Sequence, residues 1–356
     1  MSSAIGRLAG ALAGALLCGP TTHAGAQTSA APEAATPAER AWTDPSPHQV
    51  RRVTVAPDVQ LEVLDWGGSG PALVFLAGLG NTGHIFDDFA PRFRDRFHLY
   101  AITRRGVGYS SDPADGYDAA TRARDITTVL DSLGIDRAVL AGHSIAGDEL
   151  SKVGATYPSR VRALVYLDAY SYGPERRAAE QAVQPPAGLI PQPTGADTAS
   201  PAAVTAFWSR TVVGARAPEA EVRAVLNFGP DGLPKGHRGS NGRKTADGTE
   251  AADYRRIMAP VLGLFATSPG GAAELFRTTN YAALDSVTRA AADRFFGAVD
   301  ARRRAGRDRF RAELAHGAVV ELPGTGHFVF LTQPERVERE MRAFLAHTPD
   351  NSRSRR

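Results

Sequence analysis

Short apolar runs alternate with helix-length segments along most of this chain, and this alternation is its strongest constraint on the fold. The runs cover residues 72–77, 98–103, 138–141, 163–167, 261–265 and 318–322. Continuous apolar runs of this length are typical of strands buried on both faces, in a parallel sheet covered by helices. Helices are predicted at 119–133, 145–157 and 336–346, and a leading hairpin at 51–66. The sequence therefore predicts the α/β class, with a mostly parallel twisted sheet and helices on both faces.

The alternation stops between residues 171 and 256, where Pro185, Pro186, Pro191 and Pro193 interrupt the chain. We interpret this stretch as a mainly helical cap or lid inserted into a core formed by residues 49–170 and 257–348. A linker between two domains is the alternative, but no second series of strands follows it. The aromatic residues of the stretch are candidate pocket walls or plain packing residues, namely Phe207, Trp208 and Phe228.

The first residues predict a secretion signal. Arg7 precedes an apolar run at residues 8–18, and a small-residue cleavage pattern follows at 24–26, which is the order of such signals. The run is shorter than the ~20 apolar residues that span a bilayer. We therefore expect a signal peptide at 1–26, a flexible leader at 27–48 and a secreted or periplasmic protein with no stable membrane anchor. A disordered tail is expected at 349–356.

Cysteine content and charge exclude several classes of protein. The single cysteine, Cys18, excludes a disulfide framework and a cysteine-built metal site, and it lies within the expected signal peptide. The net charge is only +3. The densest basic cluster, at residues 302–311, alternates with acidic residues, which favours a solvated helix face over a nucleic-acid surface. We expect no nucleic-acid partner, no metal and no organic cofactor.

A candidate nucleophile, Ser144, lies in Gly-His-Ser-Ile-Ala-Gly at residues 142–147. The motif directly follows a predicted strand and opens the helix at Ile145, so a sharp turn would raise the hydroxyl above the sheet. The helix N-terminus favours negative charge that develops there. A serine that only caps the helix is the alternative.

A serine hydroxyl needs a base at neutral pH, and His327 is the candidate. It lies in Leu-Pro-Gly-Thr-Gly-His-Phe at residues 322–328, just after the last predicted strand. The glycines would let this loop bring an imidazole over the carboxyl edge of the sheet. A loop histidine that only packs is the alternative. His143 is predicted to point away from the hydroxyl and to pack.

The candidate acid is Asp168, at the end of the predicted strand 163–167. A carboxylate next to a buried strand is costly without a partner, and a histidine base needs one to fix its tautomer. An aspartate that caps the following loop is the alternative. The backbone amides of Leu79 and Ile145 are the candidate oxyanion-hole donors.

A rival motif, Gly-x-Gly-x-x-Gly, occupies residues 78–83 directly after a predicted strand, as a dinucleotide-binding fingerprint would. Such a site expects an acidic residue about 20 residues further on. This chain has Thr103-Arg104-Arg105 there, and its sheet begins two strands before the motif. The dinucleotide interpretation is therefore disfavoured.

Taken together, residues 51–346 resemble the α/β-hydrolase superfamily. Four features carry the resemblance: the loop after the third strand, Arg-Gly-Val-Gly-Tyr-Ser at 105–110, the turn at Ser144, and Gly-x-Gly-His ending at His327. Three departures are Ala146 in place of a glycine, Ala77 in place of a histidine, and no acid in residues 266–271, after the strand that usually supplies it. Some relatives place the acid one strand earlier, which matches Asp168.

The resemblance implies a serine hydrolase that cleaves a carboxylic ester, lactone or related acyl bond of a small molecule through an acyl-enzyme on Ser144. Aminopeptidase action and carbon–carbon bond hydrolysis on the same residues remain alternatives, because a fold does not fix a function. A non-catalytic member that binds a small molecule under the cap is the alternative of another class.

Overall fold

The computed structural model describes residues 42–170, 184–240, 242–267 and 279–348. The strands are β1 (Gln49–Ala56), β2 (Val59–Gly67), β3 (Ala72–Leu76), β4 (His98–Thr103), β5 (Ala138–His143), β6 (Val161–Leu167), β7 (Leu226–Phe228), β8 (Pro234–His237), β9 (Val261–Thr267) and β10 (Gly317–Pro323). The helices are α1 (Ala119–Ser132), α2 (Ala146–Thr156), α3 (Pro201–Trp208), α4 (Glu219–Val225), α5 (Arg243–Asp247), α6 (Ser286–Glu313), α7 (Val329–Thr332) and α8 (Pro334–Ala346). Short 3₁₀ turns lie at Gly83–Phe86, Ala90–Phe93, Pro158–Arg160, Ala196–Thr198, Tyr254–Arg256 and Tyr281–Ala283, and a π turn at Ser209–Val213.

Some expectations fall outside the described residues. The expected signal peptide, most of the leader, residues 171–183 of the expected cap and the tail at 349–356 are among them. The expected boundaries of the cap stay predictions. Within the described part of the chain, no helix combines the length and the apolar character needed to cross a membrane.

Among the described residues, the main sheet has eight strands in the order β1-β2-β4-β3-β5-β6-β9-β10. β2 pairs antiparallel with β1 and with β4, while the other pairs are parallel, which confirms the predicted mostly parallel sheet. The chain moves from β3 to β4 on one side, then crosses β3 to form β5 on the other. Loops that leave neighbouring parallel strands at such a reversal border a crevice in which open α/β sheets bind ligands.

Both faces of the sheet are covered, as the apolar runs predict. In β3, Leu73 and Phe75 face one core with α8, whereas Val74 and Leu76 face a second core with α1 and α2. Every side chain of this strand is at most 7% exposed. Burial on both faces removes the period-two pattern of a half-exposed strand, which is why the run is continuously apolar.

The described part of the expected cap contains α3, α4, α5 and a hairpin of β7 and β8. The sequence predicted no strand in this stretch, so the hairpin is a difference. Its strands have only three and four residues, too few to show periodicity, and Gly232 turns the chain between them in a left-handed conformation with φ +74°. Trp208 and Phe228 are buried in the core on one sheet face.

The arginine-rich stretch lies within α6, a helix of 28 residues. The prediction that its arginines form a solvated face is wrong for Arg303 and Arg307, which are each 7% exposed. These two share the buried helix face with Ala292, Phe296 and Phe310. The alternating charges therefore belong to two faces, of which only one meets solvent.

Candidate active site

Ser144 lies between the end of β5 and the start of α2, with φ +56°. This left-handed conformation is uncommon for a residue with a side chain and costs of order 1–3 kcal/mol. Small neighbours make the tight turn possible: a Cβ at Gly147 would lie 2.6 Å from the carbonyl oxygen of Tyr170. Ala146 is tolerated where the resemblance expects glycine. The predicted strand-to-helix turn is therefore present.

His327 lies between β10 and α7 and joins the other two candidate residues. Its Nε2 lies 2.9 Å from the Ser144 hydroxyl oxygen, and its Nδ1 lies 2.6 Å from a carboxylate oxygen of Asp168. The carboxylate accepts the proton on Nδ1, so the lone pair on Nε2 faces the hydroxyl. An imidazole held in this tautomer is placed to remove the serine proton.

Asp168 follows β6 directly, is fully buried and also has a left-handed backbone, with φ +47°. One carboxylate oxygen accepts the amide of Ala266 at 3.0 Å. Burial alone would raise the pKa of Asp168, but the Arg303 guanidinium and the His327 hydrogen bond together hold this pKa well below its usual range. The carboxyl group therefore stays ionised at neutral pH.

Arg303 is the feature that the sequence analysis missed. Its Nη2 lies 2.7 Å from one carboxylate oxygen of Asp168 and 2.5 Å from the other. This ion pair balances the buried negative charge of Asp168 and leaves the hydrogen bond between Asp168 and His327 in place. One signal was present in the sequence, because Arg303 lies four residues after Val299 and seven before Phe310, on the apolar stripe of α6.

His143 packs, as predicted, with its ring centroid 4.5 Å from that of His327 and 4.8 Å from that of Phe328. It also donates from Nε2 to the backbone carbonyl of His327 at 3.1 Å. Burial, and then the nearby His327, hold the pKa of His143 well below its usual value. His143 is therefore neutral and supports the histidine loop rather than the hydroxyl.

The two candidate oxyanion residues lie in segments joined by one buried side chain. Leu79 belongs to the loop after β3, and Ile145 precedes α2. Arg104 donates to the carbonyl oxygens of Ala77 and Gly78 in that loop. It also pairs with Glu149 of α2 at 2.9 Å. Arg104, which the sequence showed only as part of a motif, therefore couples the two segments.

The dinucleotide alternative has no structural support. The Gly-rich segment at 78–83 leads into a four-residue 3₁₀ turn, Gly83–Phe86, whereas a pyrophosphate is bound at the N-terminus of an α-helix. A Cβ at Gly78 would lie 2.8 Å from Nδ1 of His143. This glycine is thus explained by close packing against β5.

Comparison with known proteins identifies a matching family and several similar hydrolases. The family model described as "Alpha/beta hydrolase family" matches residues 73–340. A 2-(acetamidomethylene)succinate hydrolase of Mesorhizobium japonicum is 35% identical over 105 residues, or 30% of this chain and 38% of that protein. The bifunctional epoxide hydrolase 2 of Mus musculus is 34% identical over 119 residues, or 33% of this chain and 21% of that protein. The matched segments thus span well under half of either relative.

A solved structure of E-2-(acetamidomethylene)succinate hydrolase superposes with a TM-score of 0.62 at 24% sequence identity. The superposition covers 84% of this chain and 99% of that one. At this identity the likeness shows a shared fold, which extends over nearly the whole length of the other protein.

Proposed function

The chain belongs to the alpha/beta hydrolase family, and from this premise we propose that it cleaves a carboxylic ester, lactone or related acyl bond through an acyl-enzyme on Ser144. The observation that carries the proposal is the continuous contact from the Ser144 hydroxyl through His327, at 2.9 Å, to Asp168, at 2.6 Å. Nucleophile, acid and base follow the chain order Ser, Asp, His, which is the order of hydrolases of this fold.

In the first step, Nε2 of His327 removes the hydroxyl proton as the Ser144 oxygen attacks the substrate carbonyl carbon. The carbonyl π electrons move onto its oxygen, giving a tetrahedral intermediate. The imidazolium then gives the proton to the leaving oxygen as the bond to it breaks. An alcohol departs and an ester on Ser144 remains.

In the second step, water attacks the acyl group, and His327 accepts a proton from that water. The tetrahedral intermediate collapses, the proton returns to Ser144 and the carboxylic acid is released. Asp168 stays ionised throughout, because burial is outweighed by Arg303 and His327, which keep its pKa low. Its charge stabilises the imidazolium of each step.

The amides of Leu79 and Ile145 are proposed as donors to the developing oxyanion. Their segments are coupled by Arg104, which donates to the Gly78 carbonyl oxygen and to the Glu149 carboxylate. Removing one oxyanion donor costs about 10²–10³ in rate in a serine hydrolase.

An amide bond is a second candidate for the scissile bond. One relative is named as the hydrolase of a substrate that carries an acetamido group. The same steps cleave an amide if His327 protonates a leaving nitrogen. We also propose secretion, which rests on the signal pattern at residues 1–26.

The test is a panel of esters of increasing acyl length, lactones and anilides, assayed on the wild type and Ser144→Ala. We expect turnover of at least one ester by the wild type and a loss of roughly 10⁵-fold or more in Ser144→Ala. Ser132→Ala is the matched control, because Ser132 is exposed at the end of α1. Binding without turnover by folded wild type would favour the non-catalytic alternative. Cleavage of a carbon–carbon bond or a peptide N-terminus instead would favour the other chemistries.

A further inference from the structure

A second group of chemistry-bearing side chains lies away from Ser144. Asp44 and His48 precede β1, while His84 and Asp87 lie in and just after the 3₁₀ turn that follows β3. One potential ligand atom from each of the four residues lies within 4.8 Å of the others. Pairing of the first strands brings these two distant segments together.

From this cluster, we propose that Asp44, His48, His84 and Asp87 bind one divalent transition-metal ion of the zinc class. Two imidazoles and two carboxylates suit zinc, whereas calcium and magnesium take oxygen ligands only. Four protein ligands would leave no open position, so the site would be structural. The ion would fasten the segment before β1 to the loop that follows β3.

The distances between the candidate ligands are those of a nearly assembled site. Nδ1 of His48 lies 3.0 Å from Oδ1 of Asp87, and Nδ1 of His84 lies 3.1 Å from Oδ2 of the same carboxylate. Nδ1 of His84 lies 3.3 Å from Oδ2 of Asp44. Ligand atoms placed about 2.0–2.2 Å from a tetrahedral zinc are roughly 3.3–3.6 Å apart, so small movements suffice.

Two of these buried atoms contact each other as an ion pair. Nδ1 of His48 and Oδ1 of Asp87 lie 3.0 Å apart, but among the described residues neither atom makes a hydrogen bond of good geometry. The side chains are 4% and 3% exposed. Buried polar atoms are normally held in well-aligned hydrogen bonds, and a shared cation would bind both of these atoms directly.

Neighbouring groups already hold two of the candidate ligands in orientation. Glu62 places a carboxylate oxygen 3.9 Å from Nε2 of His84, on the opposite side of the ring from the cluster. The amide of Ser46 donates to Oδ1 of Asp44 at 2.9 Å, leaving Oδ2 towards His84. Histidine ligands commonly have such a carboxylate behind the other ring nitrogen.

The charge of the cluster also favours a cation. Three carboxylates, of Asp44, Glu62 and Asp87, meet two imidazoles here. Within residues 42–170, 184–240, 242–267 and 279–348, no lysine or arginine forms an ion pair with any of the three. The rival explanation is a network of protonated histidines without metal. It predicts that the cluster binds no metal ion.

The experiment is a titration of the chelator-treated full chain, made without a polyhistidine tag, with Zn²⁺ and separately with Ca²⁺, followed by calorimetry and thermal unfolding. We expect one Zn²⁺ per chain with a Kd on the order of 1 μM or tighter and no response to Ca²⁺. A zinc excess of about 100-fold over Kd should raise Tm by roughly 5 °C.

Two ligand variants and one control complete the design. His84→Gln and Asp87→Asn should weaken zinc binding by roughly 100-fold or more. His98→Gln should bind as the wild type does, because His98 pairs with a single carboxylate, Asp65, at 2.8 Å. A wild type that binds no zinc would overturn the proposal in favour of protonated histidines, even if the variants do not fold. Equal binding by wild type and His84→Gln would mean an adventitious ion only and would overturn it too.

Discussion

Two of the buried groups of histidine and carboxylate among the described residues differ in what balances the negative charge. At the candidate active site, one carboxylate, Asp168, meets one arginine, Arg303, and one imidazole, His327. In the cluster around His84, three carboxylates meet two imidazoles and, among the described residues, no arginine or lysine pairs with them.

This difference shows how imidazole and carboxylate groups can serve two chemical purposes. With its charge balanced by Arg303, Asp168 can stay ionised and fix one tautomer of His327, which leaves Nε2 for the Ser144 hydroxyl. Carboxylates that meet only imidazoles instead pair with a protonated histidine or with a bound cation. The same pair of groups therefore suits proton transfer in one place and metal binding in the other.

A third carboxylate lies between these two cases. Glu221 of α4 is fully buried and accepts hydrogen bonds from the amide of Thr82 at 3.1 Å and from the side chain of Asn81 at 2.9 Å. The hydroxyl of Thr82 also donates to it. Burial outweighs these donors and raises the pKa of Glu221 to about 7. Hydrogen bonds without a full cationic partner do not keep this carboxyl group fully ionised at neutral pH.

The largest expected effect comes from disrupting the contact between Asp168 and His327 in the candidate active site. Asp168→Asn should lower kcat/KM by roughly 10⁴-fold, because the amide no longer fixes the tautomer of His327 or stabilises its imidazolium. Steady-state kinetics on the best ester of the panel provide the measurement, with Asp136→Asn, an exposed change, as the control. A loss smaller than tenfold in folded protein would assign the acid role to another residue.

The next variant removes the arginine from the candidate active site, so that its carboxylate, like those around His84, has no arginine partner among the described residues. Arg303→Leu removes the cation and leaves Asp168 buried beside His327, which should lower the free energy of unfolding by about 3–5 kcal/mol. Arg304→Leu on the same helix is the control, because its pair with Asp300 is exposed and should contribute at most about 1 kcal/mol. Urea unfolding at neutral pH gives both values.

A double variant sharpens this expectation. Arg303→Leu combined with Asp168→Asn removes the uncompensated charge, so it should recover part of the stability that Arg303→Leu loses. Equal losses of unfolding free energy in Arg303→Leu and Arg304→Leu would show that the buried pair of Arg303 and Asp168 stabilises the fold no more than an exposed pair.

Glu221 provides the pH dependence. Its folded-state pKa is raised above the ordinary value of 4.5 to about 7, so its contribution to stability is present below pH 4.5 and is lost as the pH rises through 7. The loss should be on the order of 3 kcal/mol. Glu221→Gln should lack this slope, so the difference between wild type and variant should change between pH 4.5 and 8. A constant difference over that range would contradict the raised pKa.

The smallest expected effect tests whether Glu62 orients His84 in the proposed zinc site. Glu62→Gln should weaken zinc binding by about 10–100-fold, because Glu62 lies behind His84 without being a proposed ligand. Glu335→Gln, whose side chain is 74% exposed, is the control in the same calorimetric titration. Unchanged affinity in Glu62→Gln would leave His84 oriented by its cluster neighbours alone.

Much of the central sheet could be predicted from the sequence because its strands are buried on both faces and their apolar runs are continuous. All six apolar runs correspond to strands of the main sheet, and the predicted leading hairpin is β1 and β2. The sequence also singled out Ser144, Asp168 and His327, which the structure brings together. Each of them directly follows a strand or its short loop at the carboxyl edge, where position along the chain implies proximity.

The missed features depend on packing between distant segments. Arg303 reaches Asp168 from a helix 135 residues away, and only the burial of one face of α6 distinguishes it from its solvated neighbours. The cluster of Asp44, His48, His84 and Asp87 joins two segments whose spacing contains no familiar metal motif. The hairpin of β7 and β8 is too short to leave a periodic signal.

The most direct test of the central claim is labelling of the wild-type chain with a serine-directed phosphonate, followed by mass spectrometry of its peptides. We expect a single adduct on Ser144, formed quickly in the wild type and slowly in Asp168→Asn, because the base that activates the hydroxyl depends on that carboxylate. Well-folded protein that stays unlabelled at Ser144, or that is labelled on another serine, would contradict the assignment of Ser144 as the nucleophile.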